Sequence, residues 1–125
     1  MNVVDSSGWI EYLSGGSNAD FFADPIEASE SLVVPTLSIF EVFKHVLRNT
    51  GREDALRVAA AMRGGSVVDL TSGLALEAAE LSAETRLAMA DSIILATARA
   101  FEATLWTQVE HFRDRPGVCF RAKPK

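Results

Sequence analysis

Three carboxylates in this sequence, Asp5, Glu41 and Asp91, stand where chemistry is possible. Asp5 closes the β-branched run Val3-Val4, and in an open α/β sheet ligands bind at the carboxyl ends of the strands. Glu41 falls within an amphipathic helical stretch, and Asp91 precedes an alanine-rich apolar one. Each acid also has an ordinary reading. Asp5 and Asp91 are residues that cap helices, and Glu41 has Lys44 and His45 three and four positions on, a pairing that contributes about 0.2–0.5 kcal/mol. Together they make a sharper proposition, because a strand end and two helix starts meet on one edge of such a sheet. Convergent carboxylates repel one another unless a cation lies between them. Mg²⁺ and Mn²⁺ suit such a set, being hard ions that take oxygen ligands and keep several waters. An ion held there lowers the pKa of water, orients it for attack on phosphorus and stabilises charge on the leaving oxygen.

Other constellations fall short. Asp69 ends a third strand and, with Asp5, suggests a phosphoacceptor receiver, but paired acids after the first strand and a late lysine near the site are not apparent. Gly64-Gly65 lies in no phosphate-cradling pattern. His45 and His111 have no partnered serine or cysteine for a hydrolytic triad. The single Cys119 can neither close an intrachain disulfide nor build a zinc site.

The elements that must position the acids follow from periodicity and breakers. Val3-Val4 reads as a strand, Ser6-Ser7 as an N-cap, and Trp9, Ile10 and Leu13 as one helix face. After Gly15-Gly16 a short helical piece carries Phe21 and Phe22, with Pro25 expected to limit it. Leu32 to Val34 is a second strand, Leu37 to Leu47 an amphipathic helix ending near Gly51, and Glu53 to Met62 another helix. Val67-Val68 is a third strand, Leu74 to Glu84 a helix with Glu77, Glu80 and Glu84 solvated, and Ile93 to Phe101 a core helix. Strands at Thr104 to Trp106 and Val118 to Phe120 flank a helical turn around Glu110-His111-Phe112. Strands alternating with helices imply parallel βαβ units and helices on both faces of the sheet.

At 125 residues and 48% apolar content the chain can bury one core, so a single domain over 1–125 is expected. The formal charge of -5 argues against a general phosphate-binding surface, although carboxylates loaded with metal present a different charge to a phosphodiester. The tail is basic, with Arg113, Arg115, Arg121, Lys123 and Lys125 opposed only by Asp114, and reads equally as a solubilising end or as an edge that contacts phosphate or a partner. No apolar run is long enough to cross a bilayer, and a soluble protein of a reducing cytoplasm is expected.

Four segments, in order and spacing, resemble the PIN-domain nucleases, specifically the VapC toxins of toxin-antitoxin pairs, over essentially the whole chain. They are Val4-Asp5-Ser6-Ser7-Gly8-Trp9-Ile10, Pro35-Thr36-Leu37-Ser38-Ile39-Phe40-Glu41-Val42, Ala90-Asp91-Ser92-Ile93-Ile94-Leu95-Ala96-Thr97-Ala98 and Leu105-Trp106-Thr107-Gln108. The resemblance implies a PIN-like three-layer α/β sandwich around a mainly parallel sheet. It implies a Mg²⁺- or Mn²⁺-dependent endoribonuclease with Asp5, Glu41 and Asp91 as metal ligands and Thr107 as a hydroxyl beside them. It further implies a homodimer inhibited by a VapB-type antitoxin. A partner helix laid into an apolar groove would have Trp9, Phe40 and Phe43 as candidate contacts, with core packing the first expectation for each. Where the family carries another Asp, this sequence has Val109, which cannot bind a metal, followed by Glu110. A catalytically silent module that keeps its partner is therefore the alternative.

Overall fold

The structure is a computed structural model and describes residues 1–124; Lys125, the last cation of the basic tail, lies outside them. The chain runs β1 (Asn2–Val4), α1 (Ser6–Ser14), α2 (Ala19–Glu27), a 3₁₀ turn at Ser29–Ser31, β2 (Val33–Pro35), α3 (Thr36–Asn49), α4 (Arg52–Met62) and β3 (Ser66–Val68). It continues through α5 (Ser72–Thr85), α6 (Met89–Ala100), β4 (Thr104–Thr107), a 3₁₀ turn at Glu110–Phe112 and β5 (Val118–Phe120).

The strands are short and parallel. β1 pairs with β4 and β4 with β5, while β2 pairs with β3. A parallel bridge between Asn2 and Leu32 joins the two groups into the order β3-β2-β1-β4-β5. Because side chains alternate along a strand, neighbouring residues serve opposite cores. Val3, Val33 and Leu105 pack with Ala78 and Leu81 of α5 and Ile94 and Leu95 of α6. Val4, Val34 and Trp106 pack with Trp9 of α1, Phe22 of α2, Val42 of α3 and Met62 of α4. The central strands are covered on both faces, which explains why Val3-Val4 and Val33-Val34 read as continuous apolar runs, whereas β3 at the edge is largely exposed. The result is the expected three-layer sandwich.

Three local expectations change. The N-cap of α1 is Asp5, not Ser6 or Ser7: its carboxylate accepts from the Gly8 N–H at 2.7 Å. Pro25 does not limit α2 but lies inside it, with Ile26 and Glu27 following. Its fixed φ is helical, and a helix this near its end loses one backbone bond to proline while gaining a buried ring. Asp91 is not the cap of α6; Ala88 holds that position without a side-chain bond, and Asp91 stands in the first turn.

Gly8 marks where α1 and α2 close over β1. A Cβ there would lie 2.6 Å from a ring carbon of Phe22 and 2.7 Å from a methyl of Val4, so only glycine lets the three elements meet. Among the described residues no helix is long and apolar enough to cross a membrane.

Candidate metal centre at the switch point of the sheet

Strand order reverses at β1, with β2 on one side and β4 on the other. A crevice therefore opens at the carboxyl ends of β1 and β4. Asp5 follows β1 and Thr107 ends β4, and the parallel ladder sets them side by side, the Asp5 N–H donating to the Trp106 carbonyl at 3.2 Å. The Thr107 hydroxyl donates to Asp5 Oδ2 at 2.5 Å and accepts from the Val109 N–H at 3.0 Å. Its one proton is thereby committed to Asp5, whose other oxygen is held by Gly8. Thr107 serves the acid rather than only its local backbone.

Asp5 is 3% exposed. Burial pushes its carboxyl up to about 6; the bonds from Thr107 and Gly8 oppose that, and the negative charges of Asp91 and Glu41 add to it. Those two acids therefore bear on Asp5 through space as well as by topology. Glu41, half-buried on α3, accepts from Ser6 Oγ at 2.6 Å; Ser6, expected as a cap, instead ties α1 to α3. The pairing of Glu41 with Lys44 or His45 is not formed, and the Lys44 ammonium sits 5.9 Å from the Phe40 ring centre. Asp91, in the first turn of α6, has His111 Nδ1 3.6 Å from its Oδ2.

The residues on the far side of Thr107 are differently disposed. Val109 packs against the core beneath α5 and α6. Glu110 is exposed and accepts from Arg113 at 3.0 Å, so it does not take the place of a missing acid. His111 was passed over in the sequence because it lacked a nucleophile partner, and its neighbour is an acid instead. Gln108 joins the crevice wall, donating to Ser7 Oγ at 3.2 Å and accepting from Asn18 at 3.0 Å.

The donor set consists of carboxylate and hydroxyl oxygens around an acid whose ionisation is disfavoured by burial first and by the charges of Asp91 and Glu41 after it, which fits a hard divalent cation. Among the described residues no three acid, imidazole or thiol groups converge closely enough to ligate one ion directly. Asp5 is fixed by two bonds; an ion that retains waters would reach Glu41 and Asp91 through water or through a turn of their half-buried side chains.

Of the groove candidates, Trp9 is buried in the core, Phe43 is half-buried and Phe40 is exposed. The basic tail is largely paired: Arg113 with Glu110, Arg121 with Asp20, and Lys123 with Glu11 at 3.9 Å.

Solved structures share this fold. A toxin-antitoxin complex from Klebsiella pneumoniae superposes with a TM-score of 0.81 at 22% identity, covering 95% of this chain and 96% of that one. VapBC2 from Rickettsia felis, bound to a DNA fragment from its promoter, gives 0.73 at 13% identity over 97% of each chain. The VapC20 toxin of Mycobacterium tuberculosis, described as cleaving the sarcin-ricin loop, gives 0.67 at 19% identity over 83% of this chain and 85% of that one. No curated protein matches the chain by sequence. The family profile described as the PIN domain matches residues 3–117, and the chain belongs to the PIN domain family.

Proposed function

We propose that this chain is a VapC-type toxin, an endoribonuclease that cleaves RNA phosphodiester bonds with Mg²⁺ or Mn²⁺ and is neutralised by a VapB-type antitoxin. Asp5, Glu41 and Asp91 would hold the ion. The observation that carries the reading is Asp5: a buried carboxylate at the switch point, pushed up to about 6 by burial and by two neighbouring acids, gains most from a cation. A divalent ion held there supplies an activated water and neutralises charge on the phosphate. Thr107 holds Oδ2 of Asp5 in place, and the Val109 N–H fixes Thr107 in turn. Ser6 sets the aim of Glu41. A homodimer in the cytoplasm completes the reading.

The test is cleavage of total RNA with Mn²⁺ by the chain, by Asp5→Asn and by Val109→Asp. Cleavage by the parent that Asp5→Asn loses is the expected result. Cleavage that Asp5→Asn retains would sink it. One observation favours a second reading, a silent module that keeps its antitoxin: Val109 packs into the core and Glu110 turns to Arg113. Cleavage that appears only in Val109→Asp would decide for it.

A further inference from the structure

Beside Asp91, across the His111 ring, lies a concavity of about 330 Å³ lined by Thr85, Arg86, Leu87, Ala88, His111 and Arg115. Its lining includes two arginines and a histidine and no acidic residue. Arg115 Nε donates to the His111 carbonyl at 2.8 Å, which anchors the side chain and leaves its terminal nitrogens without a carboxylate partner among the described residues. Among the described residues neither Arg86 nor Arg115 pairs with a carboxylate, in contrast to Arg57, Arg113 and Arg121. Arg86 also occupies the left-handed C-cap of α5 at φ 64, where glycine is favoured. A cation thus stands at a backbone position that disfavours it. His111 is shared between this concavity and Asp91, at 3.6 Å, so the seat adjoins the acid site.

We propose that this concavity seats a backbone phosphate of single-stranded RNA next to the one at the acids. The inference rests on the nuclease reading and deepens it. A chain of net charge -5 whose site is a group of acids repels RNA. Two unpaired arginines against one phosphate supply charge-assisted bonds beside that repulsion and account for how the strand is held.

The test uses the Asp5→Asn protein, so that RNA is not cut, and a short random-sequence single-stranded RNA followed by fluorescence anisotropy over a range of salt. Adding Arg86→Gly, which suits the left-handed backbone, and Arg115→Gln, which retains a donor for His111, removes both cations without a folding cost. Binding is expected to weaken about tenfold, and the slope of log affinity against log salt to fall by about 0.7, one contact on a single strand. Lysine at both positions should restore the slope. RNA bound equally well, with equal slope, by both proteins overturns the seat and leaves the nuclease reading intact. RNA bound by neither, while inorganic phosphate still shifts the amide resonances of Ala88 and His111, keeps an anion seat but overturns its RNA occupant together with the nuclease reading. No response to RNA or phosphate overturns all three.

Discussion

The two sides of the crevice are built to different standards. On the β1 side, Asp5 is buried and fixed by two bonds of 2.7 and 2.5 Å, and Thr107 is fixed in turn by a backbone N–H. On the α6 side, Asp91 keeps 27% of its side chain exposed and faces a 3.6 Å contact with His111, which is itself 71% exposed. The first side is preorganised by the sheet, since parallel pairing places Asp5 beside Thr107 whatever the surroundings. The second depends on the start of a helix and on a short 3₁₀ turn, and Val109, turned into the core, falls in that turn's approach. The side that the sheet frames is fixed by hydrogen bonds; the side that loops frame is open and carries Val109 in place of a polar group.

The largest test of this contrast is pH. In the unfolded chain Asp5 ionises near 3.8 and in the fold near 6. Between those values the fold holds a proton that the unfolded chain has released, so metal-free stability falls as pH rises through that window, by about 3 kcal/mol in all. Calorimetric melting from pH 4 to 7 should show the fall, and Asp5→Asn should flatten it. A flat profile in the parent would mean that the first side is not strained by its buried charge.

Next in size is Thr107→Val, which removes the hydroxyl while keeping the volume. Manganese affinity, by titration calorimetry, should drop about 10–100-fold, as for other residues that orient a ligand. No change would reduce Thr107 to local backbone satisfaction. Val109→Asp addresses the unfinished side. It should raise manganese affinity about tenfold, a carboxylate being added at the edge of the site, and cost about 1 kcal/mol of stability because Val109 packs on the core. The smallest effect belongs to His111→Ala, an exposed pair whose loss should change stability by less than about 0.5 kcal/mol.

Much of this contrast was legible before the structure. Asp5, Glu41, Asp91 and Thr107 could be marked because strand ends and helix periodicity are written in runs such as Val3-Val4 and Ile39-Phe40-Phe43. The element order survives intact for the same reason. Boundaries were less legible where two chemistries compete for one residue. Asp5 is both cap and acid, and the sequence offered Ser6 and Ser7 as plausible caps; the sheet decides, since it anchors Asp5 through the Trp106 carbonyl. Pro25 stays within a helix because its ring is buried, a tertiary fact. The contact of Ser6 with Glu41 spans two helices, and the sharing of His111 between Asp91 and the arginine-lined concavity spans three elements; no local pattern encodes either.

Gly8 carries a consequence for heredity. Its N–H aims Asp5, and its missing side chain admits Phe22 and Val4, so one codon governs both the buried acid and the closure of two helices. A side chain at position 8 would therefore cost the fold as well as the setting of Asp5, whereas loss of the Thr107 hydroxyl would release Asp5 and leave the packing of the helices intact.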